Sequence, residues 1–165
     1  MHRNMTIGFD ERWQFYISYH NEEYIQSHDA RNKVVLKEKR ESSEYRLHNK
    51  AQQDLVVYKI DGGLIKTSNQ QRCDYGIYTE QDVLYLIELK GGDYSHALEQ
   101  ISSSIDILLK KPDINVKQLN ARIVLSKCRT PDILTTQEKK LNNLLKNKYG
   151  HGNILKKTRL LEDII

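Results

Sequence analysis

The octapeptide Val83–Lys90, VLYLIELK, constrains this chain more than any other segment. Along extended backbone, side chains alternate, so Val83, Tyr85, Ile87 and Leu89 share one face and Leu84, Leu86, Glu88 and Lys90 the other. Both faces begin apolar, which predicts a central strand covered on both sides. Glu88 and Lys90 then emerge side by side at the end of a buried element, where charges are costly unless they are paired or hold an ion. Gly91-Gly92 ends the strand. Asp93 reads as the N-cap of a helix over Tyr94–Lys110, whose Ala97, Leu98, Ile101, Ile105 and Leu108 form one apolar stripe. A buried strand feeding an amphipathic helix points to the α/β (α+β) class.

Upstream, Cys73–Tyr78 pairs with this strand as a hairpin around Glu80-Gln81-Asp82. A three-residue loop sets Thr79 opposite Val83, Gly76 opposite Leu86 and Asp74 opposite Glu88, on one face. A four-residue loop would send Asp74 to the other face, so the convergence depends on register. Gly76, beside Asp74, leaves room for a large group to approach. Leu55–Ile60 is a β-branched strand closed by Asp61-Gly62-Gly63, with Leu64–Thr67 resuming an extended pattern as a second hairpin.

Farther out, Arg12–Tyr19 alternates Trp13, Phe15, Ile17 and Tyr19 with polar or smaller groups and reads as a strand, the start of an N-terminal strand/helix extension over 1–40. A short helix and the apolar run Val34–Leu36 follow, then the polar stretch Glu41–Gln53. Ala121–Ser126 is a short apolar strand. Thr135-Thr136-Gln137-Glu138 is a capping box opening a lysine-rich helix with Leu141, Leu144 and Leu145 inside, ended by Gly150, and one basic strand runs from Ile154 to Leu161.

With 165 residues the chain fits one domain, 1–165. Its apolar runs are far shorter than the ~20 residues of a membrane-spanning helix, and no secretory h-region is present. Cys73 and Cys128 are the only cysteines; without a CxxC spacing or an adjacent His they read as small buried hydrophobes in a cytoplasmic protein. Net charge is +4, unevenly spread: residues 67–106 carry 7 acidic and 2 basic groups, 31–66 carry 9 basic and 5 acidic, and 107–165 carry 13 basic and 5 acidic. An acidic centre between basic flanks fits carboxylates that hold a metal and lysines that hold phosphates, or else solvated faces that serve only solubility.

Two carboxylates at close range bind Mg²⁺ or Mn²⁺ through hard oxygen, and an adjacent ammonium holds a phosphate oxygen or the attacking water. From the residues alone, a structural ion pair of Lys90 with Asp74 or Glu88 explains the cluster equally well.

Asp74, thirteen residues, then Glu88-Leu89-Lys90 at the end of an apolar strand followed by a helix resembles the PD-(D/E)XK nucleases. The likeness is firmest over residues 55–126. It implies a restriction-endonuclease-like mixed central sheet flanked by helices, and a Mg²⁺-dependent nuclease acting on nucleic acid, DNA foremost. The resemblance further implies a metal held by Asp74, Glu88 and the Leu89 carbonyl, with Glu44 or Glu41 as the candidate to join from a first helix, and Lys90 orienting or activating water. Gln100, on the helix after the Lys90 strand, matches a glutamine that exonuclease and resolvase relatives carry there, though their accompanying tyrosine is Ser104 here. His96 shares its flank and reads as a solvated or partly buried helix residue rather than a general base. Lys66, Lys139, Lys140, Lys156 and Lys157 are the expected phosphate contacts, and small relatives often form homodimers that address two strands. The competing expectation is the same fold kept as a silent nucleic-acid-binding or protein-interaction module.

Overall fold

In the computed structural model of the chain, residues 13–40, 42–90, 92–127 and 135–165 are described, Lys90 by its backbone alone. The architecture is mixed α/β. A six-stranded sheet is built from β1 (Ile25–Asp29), β4 (Leu55–Lys59), β5 (Tyr75–Thr79), β6 (Val83–Lys90), β7 (Gln118–Leu125) and β8 (Ile154–Thr158), in the spatial order β1-β4-β5-β6-β7-β8. The first four strands in that order pair antiparallel, and β6, β7 and β8 run parallel. A smaller sheet, β2-β3-β9, joins β2 (Lys33–Lys37), β3 (Glu44–His48) and β9 (Leu160–Ile164).

The layering follows from the connections. Helix α2 (Tyr94–Leu108) links β6 to β7 and α3 (Thr136–Lys148) links β7 to β8. Two successive crossovers of one hand, stepping the same way across a sheet, put both helices on the same face. There Ala97, Leu98, Ile101, Leu141 and Leu145 pack on Tyr58, Tyr78, Leu84, Leu86 and Ile123. The other face needs a separate cover and receives the small sheet: Val34, Leu36, Tyr45, Leu47 and Leu161 pack on Val57, Ile77, Tyr85 and Ile87. β6 is thus buried on both faces, as its sequence requires, but among the described residues helices flank the main sheet on one side only.

Four local expectations give way. Of the expected strand Arg12–Tyr19, Arg12 lies outside the described residues and the rest is no strand: α1 (Gln14–Ser18) is a short helix, and Phe15 and Tyr19, four apart, pack with ring centroids 4.8 Å apart. Leu64–Thr67 does not extend. The backbone turns back on itself, Leu64 N–H donating to Lys59 O and Ile65 N–H to Ile60 O, with Gly62 at φ +71°. Within Glu41–Gln53 there is no helix across the described residues; Tyr45 and Leu47 are buried at strand spacing in β3. The basic strand over Ile154–Leu161 is two strands, because Arg159 at φ +69° breaks the extension and carries the chain from β8 into β9 of the other sheet.

The α2 and α3 caps match the sequence. Asp93 accepts from His96 N–H at 2.9 Å and Thr135 from Glu138 N–H at 3.1 Å.

Candidate functional site

The β5–β6 hairpin has the register of a three-residue loop. Gly76 faces Leu86 and Tyr75 faces Ile87, which sets Asp74 and Glu88 opposite each other one step beyond the paired positions. Reciprocal hydrogen bonds tie them together. Asp74 N–H donates to Glu88 Oε2 at 3.1 Å, and Leu89 N–H donates to Asp74 Oδ2 at 2.8 Å. One oxygen of each carboxylate is thereby aimed by backbone rather than by rotamer preference. Glu88 is 1% exposed, an environment that a carboxylate tolerates only with partners of this kind.

Both carboxylates and Leu89 line a cleft of about 820 Å³ at the end of β6. Gln100 reaches it from α2. Its Nε2 donates to Arg72 O at 3.0 Å, and its Oε1 is buried without a hydrogen-bond partner among the described residues. Ser104, one turn on, accepts from Cys73 N–H at 2.9 Å and donates to Gln100 O at 2.8 Å. The serine thus ties α2 to the start of the hairpin. Cys73 is fully buried, and that burial pushes its thiol pKa up, so it is an inert packing group. Cys128 and Glu41 lie outside the described residues.

Lys90 ends β6 in register with Leu125 of β7. Its side chain lies outside the described structure. Glu44 does not reach the pair. It sits on β3 of the small sheet, where Lys37 at 2.8 Å and then Arg46 hold its carboxyl below the ordinary value. Among the described residues no group of three or more His, Cys, Asp or Glu side chains converges. The space beside Gly76 is taken up by core side chains rather than left open: a Cβ placed there would stand 3.1 Å from Ile60 Cδ1. His96 is part-exposed beside Glu99.

The five expected phosphate lysines do not line the cleft. Lys66 pairs with Glu23 and covers the Tyr24 ring, while Lys156 lies 4.4 Å from the centroid of Tyr94 and 3.4 Å from Glu138. Lys139, Lys140 and Lys157 are exposed on α3 and β8. Among the described side chains, the cations that do line it are Lys37, Lys39 and Arg40, at the end of β2 and just after it, and Lys59 at the end of β4. They belong to the basic 31–66 segment. The run Lys37-Glu38-Lys39-Arg40, following an alternating strand, was the signal that could have found the first three.

No family model, curated protein or solved structure matches the chain.

Proposed function

We propose that the chain is a Mg²⁺- or Mn²⁺-dependent nuclease with Asp74 and Glu88 as metal ligands, built on the PD-(D/E)XK plan. The observation that carries this reading is the pair of carboxylates held opposite each other by backbone N–H groups at the mouth of a cleft. A structural ion pair would not need both carboxylates to line a cavity of this size.

The donor set suits a hard divalent cation, which takes oxygen ligands and commonly one or two carboxylates with waters and phosphate oxygens completing the shell. Asp74, Glu88 and the Leu89 carbonyl would hold it, and the buried, unpartnered Oε1 of Gln100 offers a further acceptor for a bound water. A bound cation would supply Lewis-acid polarisation of a phosphate oxygen and a more acidic water.

In this reading the protein positions the substrate. Gln100, anchored through Arg72 O, orients a water, and Lys90 offsets charge developing on the scissile phosphate. The paired hydrogen bonds keep Asp74 and Glu88 in place without substrate, so little reorganisation is left for the reaction.

Cleavage of labelled single-stranded, duplex and branched DNA and of RNA, with Mg²⁺ and with chelator, tests this directly. Metal-dependent cleavage lost in Asp74→Asn is expected. Lys90→Ala should lower the rate by a large factor with little change in affinity. Intact substrates in every arm would favour the non-catalytic module.

A further inference from the structure

We infer that Lys39 and Arg40, just after β2, and Lys59, at the end of β4, form a phosphate clamp over the acidic pair, gripping the nucleic-acid backbone on either side of the cut. This deepens the nuclease reading and rests on it.

The inference comes from which charges at the cleft are already matched. Lys37 is paired with Glu44 at 2.8 Å, and Arg72, behind Gln100, is paired with Asp61 at 2.5 Å. Glu38 accepts from the Tyr75 hydroxyl at 3.0 Å. Lys39, Arg40 and Lys59 are exposed, line the cleft, and have no hydrogen bond or ion pair among the described residues. Three unmatched cations facing two carboxylates suit a polyanion whose central phosphate goes to the metal and whose flanking phosphates go to the cations.

Lys39 and Arg40 also follow directly on two tethered residues. Lys37 lies opposite Glu44 at the base of the β2–β3 hairpin, and their ion pair closes that base. The Tyr75–Glu38 hydrogen bond pins the strand end next to Asp74, immediately before Lys39 and Arg40. Lys59 is opposite Tyr75 in the β4–β5 ladder, so all three cations are placed relative to the same tyrosine.

The test uses the full chain in an Asp74→Asn background, so that probes stay intact, with fluorescein-labelled DNA duplex, DNA single strand and RNA followed by anisotropy across a salt series. Lys39→Ala/Arg40→Ala/Lys59→Ala should weaken binding at low salt by about tenfold or more. It should also flatten the log-affinity against log-salt slope for duplex by about 2–3, at ~0.9 per lost phosphate contact. Lys39→Arg/Lys59→Arg should keep the parent affinity, and Lys110→Ala/Lys111→Ala, away from the cleft, should bind as the parent does. The DNA and RNA arms show whose phosphates are held.

An unchanged affinity and slope in the triple variant, or an equal loss in Lys110→Ala/Lys111→Ala, would overturn the clamp even if the wild type cleaves. A wild type that cleaves nothing, while the triple variant still loses affinity, would instead overturn the nuclease reading and leave the clamp standing.

Discussion

Asp74 and Glu88 each depend on a backbone N–H that the other strand supplies, so substitutions at the two positions separate chemistry from structure. Asp74→Ala leaves the buried Leu89 N–H without its acceptor, an omission that costs about 1–3 kcal/mol. Asp74→Asn keeps an acceptor and removes one of two like charges, so its urea midpoint should equal or exceed that of the parent while metal-dependent cleavage is lost. A midpoint that drops as far in Asn as in Ala would mean the charge itself holds the hairpin together. Cys73 gives a second prediction at this scale. Its thiol pKa is raised by burial, so in a Cys128→Ser background iodoacetamide should label it only after denaturation. Labelling of the native protein at pH 8 would show that α2 opens away from the hairpin.

Among the elements, β9 is fastened to the main sheet by a buried group of charges. Arg122 of β7, 4% exposed, meets Asp163 through Nε at 2.5 Å and through Nη2 at 3.2 Å, and Tyr45 donates its hydroxyl to the same carboxylate at 2.8 Å. Arg122 Nη1 also donates to Asn153 Oδ1 at 2.8 Å. Removing one side strands the other, so Asp163→Ala should lose about 3–5 kcal/mol in urea unfolding. A loss below ~1 kcal/mol would show the pair to be solvent-screened. The small sheet also has an acid-sensitive surface. Lys37 and Arg46 depress the pKa of Glu44, and His48 and Arg46 that of Glu162. Depressed carboxyls stabilise the fold when ionised, above the unfolded value of ~4.3, and that contribution fades as pH falls through the lower folded value. The urea midpoint should therefore hold from neutral pH to about 5 and decline below it, less steeply in Glu44→Gln/Glu162→Gln.

The same small sheet marks where sequence patterning stops being informative. β6, α2, the cap of α3 and the three-residue β5–β6 loop could be read because local cues and tertiary demands agree there. β3 was obscured because Glu44–His48 has only two inward residues, Tyr45 and Leu47, set among polar ones, and its parallel pairing with β9 comes from more than a hundred residues away. α1 was misread because Trp13, Phe15, Ile17 and Tyr19 satisfy a period of two, while Phe15 and Tyr19 also satisfy a spacing of four, and only the core beneath them decides.

At the scale of the molecule, helices cover one face of the main sheet and a second sheet covers the other, and the cleft opens at the strand ends where the two covers part. That placement explains how much of the site was legible. Asp74, Glu88 and Leu89 belong to one hairpin and follow from its register. Lys39 and Arg40 form a visible basic run, but it is the packing of one sheet on another that brings them over the cleft, so basic charge alone pointed instead to Lys66 and to the lysines of α3 and β8. No helix among the described residues is long and apolar enough to cross a membrane.

The central claim is that Asp74 and Glu88 hold a divalent cation, and calorimetric titration with Mn²⁺ and Mg²⁺ tests it without any assumption about substrate. The account predicts saturable binding to the wild type that is lost in Asp74→Asn and in Glu88→Gln while both variants stay folded. Absence of binding to the wild type, or undiminished binding to the Asp74→Asn/Glu88→Gln double variant, would contradict it.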